Sequence, residues 1–173
     1  MKTKLTWEKG LFSDSFRIFD SDKQIGFMKK SLFSQKSIAE INDKKYEFRE
    51  NGLFKQETVI IDISQNKVIG KIKYNSWGNK AFVDVNGNNF TWEYKNIWNT
   101  EWVIYDSQGL NISYKSSLTS GQIETNADDA IKLLTGLYVH NYYYEKKAAA
   151  TVVMICCLIS SLSLFTVLHQ TMK

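Results

Sequence analysis

Few side chains in this chain of 173 residues are of a type to start chemistry. Its two histidines, His140 and His169, stand far apart and outside any spaced set of Cys, Asp and Glu. Neither a metal tetrahedron nor a Ser-His-Asp arrangement can be drawn from them. Asp128 and Asp129 are adjacent carboxylates, but they precede an apolar helical pattern and read as helix-start residues rather than acid and base. Cys156 and Cys157 lie in an apolar run without partners and read as small hydrophobes. The stretches "NSWGNK" and "DVNGNNF" have the composition of hairpin turns, not the spacing of a phosphate-binding loop. No enzymatic activity, no metal and no cofactor are expected.

Binding chemistry has more candidates. Lys29, Lys30, Lys71 and Lys73 would make a cationic patch for lipid headgroups if their strands are neighbours. The competing reading makes them solvated strand faces or edge protection. Trp92, Trp98 and Trp102 suit an aromatic binding surface or the lining of a core. The formal charge of +4 is mild, and every acidic residue precedes Lys146. The soluble part is therefore nearly balanced and lacks the strong basic field of a nucleic-acid binder.

These residues need elements to position them. A hydrophobic share of 43% against 23% charged places the chain among globular proteins. With no proline, turns fall to Gly, Asn, Asp and Ser. Up to about residue 126 the sequence reads as short strands. Ala81, Val83 and Val85 alternate with Phe82 and Asp84; Phe90, Trp92 and Tyr94 alternate with Thr91, Glu93 and Lys95; Leu110, Ile112 and Tyr114 follow the same rule. Period two sends one set to a core and the other to water. Asn42-Asp43, Asn51-Gly52, Gln65-Asn66, Asn86-Gly87 and Gln108-Gly109 separate the runs as hairpin turns require. The count is about twelve antiparallel strands, which must close or stack to dispose of their edges, as a barrel or a sandwich; the likeness among the hairpins starting at Phe16, Val59 and Trp102 favours a closed barrel.

Past Gly121 the period changes. Asn126 reads as an N-cap, with Asp128 and Asp129 in the first turn of a helix over 127–145. Ala130, Leu133, Leu134, Leu137 and Tyr138 share one face, and Ile131 and Val139 widen it, as in a largely buried helix. The barrel domain with this central helix is expected to occupy residues 1–145.

The tail, residues 148–168, has no charged residue. As a helix it would be roughly 30 Å long, close to the thickness of a bilayer core. Tyr143 and Tyr144, then Lys146 and Lys147, precede it as interface residues. The N-terminal "MKTKLTWEKGLFSDSF" has no apolar stretch for a signal peptide, so a C-terminal transmembrane anchor is expected. Two lysines before the span against Lys173 after it place the large domain on the cytoplasmic side. A second reading has the tail fill the barrel, because a closed barrel of twelve strands is too wide for side chains alone.

The hairpins "FRIFDSDKQIG" and "WVIYDSQG", the strand count and the helix "DDAIKLLTGLYVHNYYY" resemble the tubby C-terminal-like group, which includes LURP-one-related proteins and phospholipid scramblases. The resemblance implies a closed antiparallel barrel around a hydrophobic helix and a lipid-related role. No binding residue of that group is carried over, since no motif aligns with one. The expected function is a non-enzymatic, membrane-anchored module recognising phospholipid or another apolar ligand. The alternatives are an anchored scaffold that binds a protein partner, for instance by a strand edge, a soluble barrel with the tail as its core, and a scramblase-like activity.

Overall fold

The computed structural model of the chain describes residues 3–10, 13, 15–31, 34–52 and 57–171, with side chains described through residue 161. The strands are β1 (Thr3–Lys9), β2 (Ser15–Asp20), β3 (Lys23–Lys30), β4 (Lys36–Ile41), β5 (Lys44–Glu50), β6 (Glu57–Asp62), β7 (Lys67–Tyr74), β8 (Lys80–Val85), β9 (Asn88–Tyr94), β10 (Glu101–Tyr105), β11 (Asn111–Ser117) and β12 (Ser120–Thr125). They form one antiparallel meander, closed by β1 pairing with β12 from Thr3↔Thr125 to Glu8↔Ser120. Closure pairs every strand on both sides, which removes the exposed edges that would invite aggregation. It also leaves no edge among the described strands to which a partner strand could be added.

Local sequence explains the hairpins. Asn42 and Asp43 both have positive φ, as do Asn86 and Gly87. That backbone twist matches the flanking strands, and short polar residues and glycine tolerate it best. Alternation then sets the faces. Ala81, Val83 and Val85 are 0%, 2% and 4% exposed, whereas Phe82 on the other face is 55% exposed.

Two hairpins share a further device. The β2–β3 register slips at Ile18/Phe19, opposite Gly26, and the β6–β7 register slips at Ile60/Ile61, opposite Gly70. Each glycine lies against the backbone of the next strand, at Glu40 O and Asp84 O respectively. "QIGFMK" and "VIGKIK" are thus the same bulge used twice, four strands apart.

The helix α1 runs from Ala130 to Thr171 without interruption. One helix therefore replaces the two expected over 127–145 and 148–168, because "YYYEKKAAA" contains no glycine or proline to stop it. Its start also differs from the expectation. Asn126 is not the cap: its side chain accepts the Asn111 N–H at 2.9 Å and donates to Gly109 O at 2.8 Å, tying the chain to the β10–β11 turn. Asp129 caps instead, its Oδ1 accepting the Lys132 N–H at 3.4 Å, and no acidic residue lies in the first turn. The chain divides into two compact units, Met1–Val139 and His140–Lys173.

Candidate functional site

A barrel of this size needs a filler, and in the first unit it is the start of α1. Residues 133–139 are all buried, with Leu134, Leu137 and Val139 fully inaccessible. The sequence pattern of a helix apolar on most sides reflects a helix surrounded on all sides. Three buried polar contacts fix its depth and rotation. Tyr114 donates its hydroxyl to Leu133 O at 3.0 Å, and Trp92 donates Nε1–H to Gly136 O at 3.1 Å. The Thr58 hydroxyl meets both Tyr74 at 2.8 Å and Tyr138 at 3.1 Å. Gly136 allows this closeness, since a β-carbon there would fall on the Tyr114 ring. Burial pushes the Tyr114 phenol well above its ordinary range, so it stays a neutral donor. These groups consume one another's bonding capacity and hold the fold; they are not poised for chemistry.

Trp92 and Trp102 line the interior at 0% exposure, as the core reading expects, and Trp102 stacks on Tyr114 at 5.3 Å. Trp98 does not join them. It sits in the β9–β10 loop, 79% exposed, because that loop lies past the last inward position of β9.

The four lysines are not on adjacent strands: β4, β5 and β6 stand between β3 and β7. Lys71 lies opposite Asp84 and Lys73 opposite Glu57, and Lys30 pairs with Glu50 at 3.7 Å. Cross-strand acids of this kind match the reading as solvated strand faces, although of the four lysines only Lys30 makes an ion pair among the described residues. Lys29, Lys30 and Lys73 nevertheless share one end of the barrel, at the C-terminal ends of their strands.

In the second unit Tyr143 is 4% exposed and Tyr144 61%, so Tyr144 is the one of the two that presents its ring outward. Lys146 and Lys147 are exposed, and the Lys146 ammonium lies 5.2 Å from the Tyr142 ring centroid. Val152, Val153, Met154, Ile155, Leu158 and Ile159 are 50–64% exposed, and Cys156 and Cys157 are exposed free thiols on the same helix. Among the described residues no helix is long and apolar enough to cross a membrane.

A cleft of about 340 Å³ lies between the β4–β5 and β6–β7 turns, lined by Asp43, Lys45, Tyr46, Asp62 and Gln65 among others. Burial first, then the charges of Asp62 and Asp129, raise the Tyr46 phenol. Asp62 is held below the usual carboxyl range, chiefly by the Ser64 hydroxyl, which is the signature of a turn cap. Among the described residues no group of His, Cys, Asp and Glu could hold a metal ion. Compared with protein-family models, curated proteins and solved structures, the chain matches none.

Proposed function

We propose that the chain is a membrane-anchored, non-enzymatic binding module: a filled barrel held at a bilayer by the apolar segment 148–168. The observation that carries this is the run of Val, Met, Ile and Leu side chains on α1, half or more exposed and without a charge among them. Leaving such a surface in water costs about 25 cal/mol per Å² of apolar area, which a bilayer removes. Lys146 and Lys147 beside the segment favour a cytoplasmic position for the barrel. A self-filled interior points to recognition by the barrel's outer surface and loops rather than by an internal cavity. The tubby-like resemblance, twelve strands around an apolar helix, supports lipid as the class of ligand.

Alkaline carbonate extraction of membranes from cells making the full chain, or a chain ending at Lys147, tests this. The full chain should stay with the membrane pellet and the shortened one should leave it. Extraction of both would remove the anchor. A shortened chain that aggregates and shows no cooperative melt would make the segment part of the barrel's own fold.

A further inference from the structure

An unbroken antiparallel meander sends its connections alternately to two ends, and here the two ends differ in chemistry. The turns after β2, β4, β6, β8 and β10 lie at one end, and each carries aspartate: Asp22, Asp43, Asp62, Asp84 and Asp106 sit in or beside them. Asp62, Asp84 and Asp106 accept backbone N–H groups of their own turns. The opposite end carries the connections after β7, β9 and β11, with Trp77 88% exposed, Ile97 86%, Trp98 79% and Leu118 93%. These are the four most exposed large apolar side chains among the described residues of the first unit.

Two of these loops have the same construction. In "NSWGNK" the Asn75 Oδ1 accepts the N–H groups of Asn79 and Lys80 at 3.2 and 3.1 Å, and its Nδ2 donates to Asn79 Oδ1 at 2.7 Å. In "NIWNTE" the Asn96 Oδ1 accepts those of Thr100 and Glu101 at 3.0 and 3.3 Å, and its Nδ2 donates to Thr100 Oγ1 at 2.8 Å. A positive φ follows each tryptophan, at Gly78 and Asn99. The asparagine closes the loop, so the tryptophan two residues later is spare to the fold. It is carried outward on a braced support, where indole exposure in water is unfavourable.

Cations stand just behind the tips. Lys73 and Lys95 precede the two loops, and Lys29 is the last residue but one of β3; none of the three has an ion pair among the described residues. The first unit also ends on this side. Tyr138 reaches Thr58 and Tyr74, both at strand ends that adjoin these loops.

We propose that this end of the barrel docks on the interface of an anionic bilayer, with Trp77 and Trp98 seated at headgroup depth or below. Tryptophan is the residue enriched at membrane interfaces. Lysines one or two residues before these loops match the position of anionic headgroups. The aspartate-bearing end interleaves its acids with Lys23, Lys44, Lys45 and Lys67 and has no exposed tryptophan among the described residues, so the two indoles select the orientation. The docking deepens the anchored-module reading but rests on the first unit, not on the segment 148–168.

The test uses the distribution of tryptophan. Trp7, Trp92 and Trp102 are at most 3% exposed, and residues 140–173 contain none, so only Trp77 and Trp98 can report contact with lipid. The full chain is mixed with vesicles of phosphatidylcholine and phosphatidylglycerol, with and without brominated acyl chains, and flotation and emission are read together. Bromine-dependent quenching is expected, and it should vanish in Trp77→Ala/Trp98→Ala, whose circular dichroism melt should match the parent. Quenching should weaken in Lys73→Glu/Lys95→Glu on these vesicles and in the parent on phosphatidylcholine alone. Salt-resistant flotation without quenching overturns the docking and leaves the anchor standing. Salt-sensitive flotation with quenching removes the anchor and supports the docking. Absence of both overturns both.

Discussion

Replacing Gly136 by alanine tests whether the helix truly fills the barrel. A β-carbon at this position would overlap Tyr114 at Cζ and the hydroxyl, with Cε2 at 2.7 Å. The ring has nowhere to go: it is 1% exposed, lies 7° from parallel to Trp102, and is bonded to Leu133 O. Overpacking a filled core costs about 1–3 kcal/mol. Displacing the tyrosine strands a buried hydroxyl for about 1–3 kcal/mol more. Alanine is better than glycine in a helix by about 1 kcal/mol, which offsets part of this. The net loss should centre near ~3 kcal/mol, or about 6–12 °C in melting temperature at ~2–4 °C per kcal/mol for a chain of this length. Near-ultraviolet circular dichroism, followed on heating in mild detergent at fixed protein concentration, measures it. Adding Tyr114→Leu to Gly136→Ala should recover at least ~1 kcal/mol relative to the sum of the two single changes. If Gly136→Ala melts at or above the parent, the helix does not pack on Tyr114 and the filled-barrel reasoning fails.

Thr58→Val removes the hydroxyl shared by Tyr74 and Tyr138. Urea unfolding should show a loss of about 1–3 kcal/mol, much of it restored when both tyrosines become phenylalanine. Gly26→Ala and Gly70→Ala each push a methyl group against a neighbouring strand's carbonyl. Each should lower the melting temperature by an amount equivalent to about 1–3 kcal/mol, and equal stability in both variants would show that the bulges tolerate a side chain. Asp62 has its folded-state pKa lowered, first by the Ser64 hydroxyl and further by the Gln65 and Ser64 N–H groups. Its contribution is therefore present above the unfolded value, near ~4, and is lost as pH falls through the folded one. Asp62→Asn should flatten the acid limb of a stability-versus-pH curve below about pH 4; parallel limbs for parent and variant would contradict this.

What the sequence determined by itself was local. Strand faces were legible at Ala81–Val85 and Leu110–Tyr114 because period-two alternation reports burial directly. Turns at Asn42-Asp43 and Asn86-Gly87 were legible because positive φ restricts the residue type. The apolarity of residues 131–139 over much of the helix circumference announced a largely buried helix. The helix start was misread because Asn126, Asp128 and Asp129 are all capable caps. The choice fell to Asp129 once Asn126 was engaged by Asn111 and Gly109, which are distant in sequence. Closure was decided by tertiary structure: the β1–β12 register joins residues more than a hundred positions apart, which no local pattern encodes. So was the grouping of lysines. Lys29 and Lys73 lie on strands that do not touch, and they share an end only because both strands run in the same direction around a closed ring. Trp98 looked like Trp92 and Trp102 in sequence; one loop's geometry sent it outward, since alternation stops where β9 does. A residue's type and spacing fix which face of its own element it occupies, and the ring decides which faces and ends come together.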